Sequence, residues 1–265
     1  MLDIVASVAA IALLAWVLHL ALHRVLPRRW MRWTIAVSAA FFVTGYATLQ
    51  LSRSRSFQMF GHMVLPHPTP EKLVALTFDD GPAPKHLGEV LELLEREQVR
   101  GTFFLIGGAI EEQPAATKRI VAAGHEIGNH SYSHRRMVFK TGSWIGREIE
   151  RTDALIRSAG YRGPIHFRSP YGKRLISLPL YLARHDRLNV FWDVDPESNR
   201  KIARDPDAIR NHVLARVKPG SIVLLHPMYA TGEPSRRALP EIIDTLQARG
   251  YRFVTVSQLL KAQKQ

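Results

Sequence analysis

The sequence predicts an α/β domain of repeated strand–helix units behind an N-terminal transmembrane helical hairpin. Three observations predict it. From Glu71 onward short apolar runs alternate with amphipathic stretches, two long uncharged stretches precede them, and the polar residues with chemical potential stand where the apolar runs end. Repeated βα units call for a parallel sheet covered by helices, and seven of them fit either an open sheet or a closed, barrel-like one.

Residues 4–22 carry no formal charge, and about twenty such residues suffice to cross a bilayer. Residues 34–51 form a second uncharged stretch. Between them lie Arg24, Arg28, Arg29 and Arg32 with Trp30 and Trp33; such cations favour the cytoplasmic side and tryptophans suit an interface. Two crossings with that loop inside put the N-terminus and the main domain outside. A cleavable signal peptide is disfavoured by Asp3, which stands where basic residues would precede the apolar run. A buried helical hairpin of a soluble protein is a further alternative. If the first stretch alone spans, the main domain lies in the cytoplasm, and Arg53 and Arg55 after the second stretch oppose the hairpin orientation. Residues 1–51 are thus read as the membrane segment and 71–265 as the main domain. Residues 52–70, rich in Ser, His and Pro, read as a linker because Pro66, Pro68 and Pro70 disfavour helix.

Residues 73–78 read as the first strand, and Leu87, Val90, Leu91 and Leu94 fall on one face of the helix that follows. Residues 101–106 are the second strand, followed by a helix over 109–123. A short third strand, 125–129, leads to a helix over 143–158 that stops near Gly160. Four more strands, 165–168, 189–192, 221–225 and 251–254, are separated by helices over 175–185, 207–217 and 236–249.

The composition bounds the function. At 46% hydrophobic residues the core supply is ample, and the absence of cysteine excludes a disulfide framework and a thiolate zinc site. A net charge of +13 favours anionic surfaces such as phospholipid head groups or acidic envelope polymers. No Lys/Arg run is interleaved with aromatics, so nucleic acid is the weakest of the anionic partners.

Asp79 and Asp80 end the first strand at Gly81-Pro82, His130 and His134 follow the third, Arg168 ends the fourth, Asp193 and Asp195 follow the fifth, and His226 ends the sixth. In a parallel barrel those ends share the face on which active sites form. Adjacent ionised acids repel and call for a nearby cation or a raised pKa on one of them, although Asp-Asp-Gly alone is also a common surface turn. His130 and His134, four apart, face one way on a helical turn. With Asp80 they form an Asp-His-His set that leaves coordination positions open. Zinc is the default, and cobalt, nickel and iron accept the same ligands. Such a cation lowers the pKa of bound water and polarises a carbonyl. Asp79 can then take a proton, Arg168 can pair with Asp79 and keep it ionised, and His226 can donate to a leaving group. The set predicts a metal-assisted hydrolase acting on an acyl carbonyl.

Thr77-Phe78-Asp79-Asp80-Gly81, His130-Ser131-Tyr132-Ser133-His134, Arg168-Ser169-Pro170-Tyr171-Gly172 and Leu224-Leu225-His226 resemble, in order, the motifs of the polysaccharide deacetylases, the NodB-homology enzymes of carbohydrate esterase family 4. The resemblance covers residues 71–260. It implies a distorted (β/α)7 barrel, a divalent metal, and removal of N- or O-acetyl groups from sugars, often the N-acetylglucosamine of chitin or peptidoglycan. It implies Asp79 as catalytic base, Asp80, His130 and His134 as metal ligands, and Arg168 as the group orienting Asp79. The backbone N–H of Tyr171 would bind the oxyanion, with Pro170 beside it at the substrate. His226 would be the general acid, and Leu224 would line the acetyl-methyl pocket.

One motif departs. The family carries an Asp-Trp pair soon after the fifth strand, and that Asp partners the arginine or the catalytic histidine. Here Ser198-Asn199 stands where the pair is expected, leaving Asp195 or Asp193 to take over; both also suit a turn before Pro196. The missing Trp removes an expected pocket wall. Three functions follow: a membrane-anchored deacetylase facing an envelope glycan outside the cytoplasm, a deacetylase or deformylase of a sugar on a lipid carrier, or a catalytically silent glycan-binding module. An intact Asp-His-His set argues against the third. The expected partners are an acetylated glycan and the membrane, without nucleic acid, and the oligomeric state is not legible.

Overall fold

The computed structural model describes residues 27–54 and 57–263. The helix α1 (Arg28–Arg53) covers the second uncharged stretch. Its 21 residues Arg32–Ser52 are long and apolar enough to cross a membrane, and Trp33, Val37, Phe41 and Val43 are exposed. The first stretch, 4–22, lies outside the described residues. Of the expected hairpin, one helix is therefore described. The chain divides into two compact units at Ser52.

The second unit runs β1 (Met63–Val64), β2 (Leu73–Asp79), α2 (Pro84–Arg96), β3 (Thr102–Leu105), α3 (Gly107–Glu112), α4 (Pro114–Ala122), β4 (Glu126–Asn129), α5 (Gly142–Ser158), α6 (Ser177–Arg184), β5 (Asn189–Val190), α7 (Pro206–Arg216), β6 (Ser221–Leu225), α8 (Glu233–Ala248), β7 (Arg252–Val254) and α9 (Val256–Ala262). β2 is central because all of its residues are buried. Such a strand needs a continuous apolar run, as parallel sheets covered on both faces do. β6 pairs with β2 over Val74–Phe78, β7 over its first residues and β3 over its last, and β4 lies on β3, all in parallel. Isolated parallel bridges link Asn129 to Phe167, Phe167 to Asn189, and Val194 to Val223.

Strand alternation sorts the core in two. Val74, Leu76, Phe78, Phe103 and Val223 pack with Leu87, Leu94, Leu239 and Ile243 of the helices. Leu73, Ala75, Phe104, Ile222 and Leu224 face the other way, against Val190, Phe191 and Trp192.

Four expectations change. The helix expected over 109–123 is two, α3 and α4, because Pro114 starts α4 with no amide to donate and Gln113 leaves helical geometry. The strand expected over 165–168 shrinks to the bridges of Phe167, flanked by Pro164 and Pro170, which cannot donate to a ladder. The expected linker 52–70 is in part a strand: β1 pairs with β5, the Phe191 amide donates to Val64 O at 2.9 Å, and buried Arg174 donates to Phe57 O at 2.8 Å. Finally α9 was not expected, though Thr255 and Gln258 form a reciprocal capping box at its start.

Candidate active site

Thr77 and Asp79 share the face of β2 that carries Leu73 and Ala75. At Asp80 the chain turns out of the strand with φ +74°, held by its amide bond to Phe104 O at 3.0 Å. Asp tolerates this left-handed step better than most residues. The step breaks the alternation, so the second carboxylate joins the first instead of facing the opposite side. Both are buried, at 3% and 4% exposure.

His130 and His134 do not lie on a helix. They sit in the loop between β4 and α5, with positive φ at Ser131 and His134. Glu148 of α5 fixes this loop by accepting from the amides of Tyr132 and Ser133 and from the Ser133 hydroxyl. Asn129 Oδ1 accepts from the Ser131 amide. His130 Nδ1 lies 2.8 Å from Arg168 O; a carbonyl only accepts, so Nδ1 carries the proton and Nε2 presents its lone pair. That Nε2 is 3.6 Å from Asp80 Oδ1, and His134 Nε2 is 3.3 Å from the same oxygen. Burial, then the neighbouring His130, lowers the His134 pKa and favours its neutral, ligating form.

Arg168 is fully buried. Its Nη1 donates to Asp79 Oδ1 at 2.6 Å and to Thr77 Oγ1 at 2.9 Å, and its Nε donates to Val190 O at 3.2 Å. The guanidinium is stacked between Phe104, at 4.0 Å, and Trp192, at 5.2 Å. Gly128 makes room for this arrangement, since a Cβ there would stand 2.4 Å from the Phe104 ring. Burial lowers the Arg168 pKa, and Asp79 and more weakly Asp195 oppose that.

The partner of His226 is a residue that sequence reasoning missed. His226 Nδ1 is 2.6 Å from Glu197 Oε2, and Glu197 Oε1 accepts from the Ser235 hydroxyl at 2.5 Å. Burial pulls the His226 pKa down, but the Glu197 hydrogen bond and charge, then Asp79 and Asp80, raise it to about 9. The two expected substitutes hold other groups. Asp193 accepts from Ser221 Oγ and the Ile222 amide. Asp195 accepts from Trp192 Nε1 and the Ser198 amide, capping the turn Pro196–Ser198. That turn carries Glu197 to the histidine. Its signal in the sequence is an acid one residue before Ser198, where the resemblance places the acid–Trp pair.

Around the mouth, Tyr171 has φ +58° within the turn Pro170–Gly172, and its ring lies 4.7 Å from that of His134. Pro170 and Leu224 are buried. Burial, then the Asp80 carboxylate, raises the pKa of the Tyr229 hydroxyl.

The ligand atoms of Asp80, His130 and His134 all lie within 4.8 Å of one another. Asp80 Oδ1 is buried without a hydrogen-bond donor, which is costly for a carboxylate oxygen. Two imidazole lone pairs and one orphaned anionic oxygen fit a divalent cation. Asp79 stands beside this set, its Oδ2 3.7 Å from His130 Nε2.

The family model for polysaccharide deacetylase matches residues 66–187, a span that includes Asp79, Asp80, His130, His134 and Arg168. The peptidoglycan-N-acetylglucosamine deacetylase of Bacillus cereus is 36% identical over 194 residues, covering 72% of this chain and 70% of that protein. The chitooligosaccharide deacetylase of Bradyrhizobium sp. is 38% identical over 199 residues, covering 70% and 90%. The structure of a family 4 acetyl xylan esterase from Clostridium thermocellum, in complex with a cobalt ion, matches with a TM-score of 0.65 at 34% identity, covering 72% of this chain and 91% of that one. Ordered motifs, a parallel α/β fold and a buried Asp-His-His cluster agree with these likenesses, and the chain belongs to the polysaccharide deacetylase family.

Proposed function

We propose that the chain hydrolyses N-acetyl or O-acetyl groups from a polysaccharide or amino-sugar oligomer of the cell envelope, with a divalent cation, zinc by default, on Asp80, His130 and His134. The observation that carries this is the orphaned Asp80 Oδ1 facing two imidazole nitrogens at 3.3 and 3.6 Å. When bound, the cation polarises the acyl oxygen and makes water a better nucleophile.

The chain's own residues do the rest. Asp79 keeps Oδ1 on Arg168 and uses Oδ2 to accept the proton of the attacking water. Arg168 orients that base through its 2.6 Å hydrogen bond. His226, held protonated by Glu197, donates from Nε2 to the departing amine. The Tyr171 N–H serves the developing oxyanion, and Leu224 and Pro170 border the acetyl methyl. Asp195 supports Arg168 electrostatically rather than His226.

The bridges at Phe167, Asn189 and Val194 favour a distorted (β/α)7 barrel, because they continue the ladder from β4 through β5 to β6. The exposed apolar residues of α1 support a membrane anchor, and the arginines before it, which favour the cytoplasmic side, support a catalytic unit outside the cytoplasm. We read 1–51 as that anchor and 71–265 as the catalytic domain, which the strand at 63–64 extends. The anchor also supports the second reading, a sugar held on a lipid carrier in the same plane.

The test is acetate release from an acetylated amino-sugar oligomer. Chelation abolishes it and divalent cation restores it. Asp79→Asn retains one bound metal per chain and loses turnover. Acetate release that survives complete metal removal refutes the mechanism, and loss of metal from the Asp79→Asn chain refutes Asp79 as base.

A further inference from the structure

Beside His226 opens a cavity of about 500 Å³, lined by Glu197, Arg200, Arg204, His226, Tyr229 and Thr231, a size typical of small-ligand sites. Arg200 and Arg204 come from the turn that follows Glu197, four residues apart, and both are exposed. Neither pairs with a carboxylate among the described residues. The acid that lines the same cavity is already committed: Glu197 holds His226 through one oxygen and Ser235 through the other. Both of its oxygens are thereby engaged away from the two guanidiniums, which line the cavity without a carboxylate partner among the described residues. A guanidinium fork matches a carboxylate or phosphate better than any neutral hydroxyl. A neutral chitin-like chain would leave both forks solvated and would gain nothing from them.

We infer that Arg200 and Arg204 form an anion-binding subsite, which selects amino-sugar substrates bearing a carboxylate or phosphate next to the acetylated centre. The inference rests on the deacetylase reading of the adjoining site and adds its substrate class. The subsite lies on the His226 side, where the amine departs, so the anionic group is carried on the sugar part and not on the acyl group. Charge attraction also makes selection weaken as salt rises.

Three soluble substrates test this with the metal-loaded full-length chain. They are an N-acetylglucosamine oligomer, a peptide-free peptidoglycan strand with lactyl carboxylates, and N-acetylglucosamine 1-phosphate. At low salt kcat/KM for one of the charged substrates exceeds that for the neutral one by about tenfold or more. Which of the two is preferred identifies the anion. Arg200→Gln/Arg204→Gln brings the charged-to-neutral ratio close to one, and Arg200→Lys/Arg204→Lys retains part of it. A ratio unchanged by the Gln pair, or a ratio of one in the unaltered chain, overturns the subsite. If no substrate is turned over, the deacetylase reading fails. The subsite is then read from equilibrium binding of the same three sugars to the Asp79→Asn chain, with and without the Gln pair, and equal binding by the two chains overturns it.

Discussion

Arg168 and Asp79 allow a quantitative test of how the site is held. Arg168→Met removes the guanidinium but keeps an apolar stem between Phe104 and Trp192, and leaves Asp79 buried without its 2.6 Å donor. Two unit charges about 4 Å apart attract by about 4 kcal/mol at an effective dielectric constant of about 20. Removing one partner of a buried pair costs about 3–5 kcal/mol, because the other charge stays desolvated. Arg168→Met is thus expected to lower the unfolding free energy by about 4 kcal/mol. Asp79→Asn, which strands Arg168 in turn, costs a comparable amount. The double variant removes both charges and is less destabilised than the sum of the singles by about 3 kcal/mol, near the upper end for directly contacting residues. The assay is urea unfolding of the metal-free chain followed by tryptophan fluorescence, for the unaltered chain, both singles and the double. If the singles add to the double within about 0.5 kcal/mol, the two groups do not act as a buried pair and the orienting role of Arg168 is refuted.

Three further outcomes follow from the other contacts of the fold. In Glu197→Gln the alkaline limb of the kcat/KM profile moves down. A charge-assisted hydrogen bond is worth about 1.5–3 kcal/mol, and about 1.36 kcal/mol corresponds to one pH unit, so the shift is about one to two units. The sign is fixed because a general acid must be protonated, and activity falls as pH rises through the His226 pKa, raised to about 9 by Glu197 against burial. A cation on the neighbouring ligands lowers the limb in both chains, so the difference is the readout, and an unmoved limb counts against Glu197. In the metal-free chain the same raised pKa contributes stability that is fully present below about pH 6.5 and is lost as pH rises through about 9. A chain beginning at Pro70 lacks β1 and the Phe57 carbonyl that serves Arg174. Relative to a chain beginning at Arg53 it loses about 2 kcal/mol, or about 4–8 °C in Tm. Equal Tm values by scanning calorimetry would return residues 53–69 to the status of a free linker.

The sequence by itself determined the succession of strands and helices along the chain, the ends of the longer buried strands and the ligand types. Buried parallel strands require uninterrupted apolar runs, so residues 73–78 and 221–225 announce themselves, and any polar residue directly after such a run stands at the same end of the sheet. The pairing of Asp80 with His130 and His134 followed from that rule, although its helical-turn rationale did not hold: the loop has left-handed steps at Ser131 and His134, fixed by Glu148 of α5. Local propensity does not encode such a contact. Only the tertiary structure decided that Glu197 rather than Asp193 or Asp195 meets His226, across 29 residues of chain. Three acids within five positions look alike in sequence, and the turn Pro196–Ser198 chooses among them by aiming one inward. It also decided that residues 63–64 join the fold, because a two-residue strand gains its stability from the β5 edge it lies against and carries almost no periodic signal of its own.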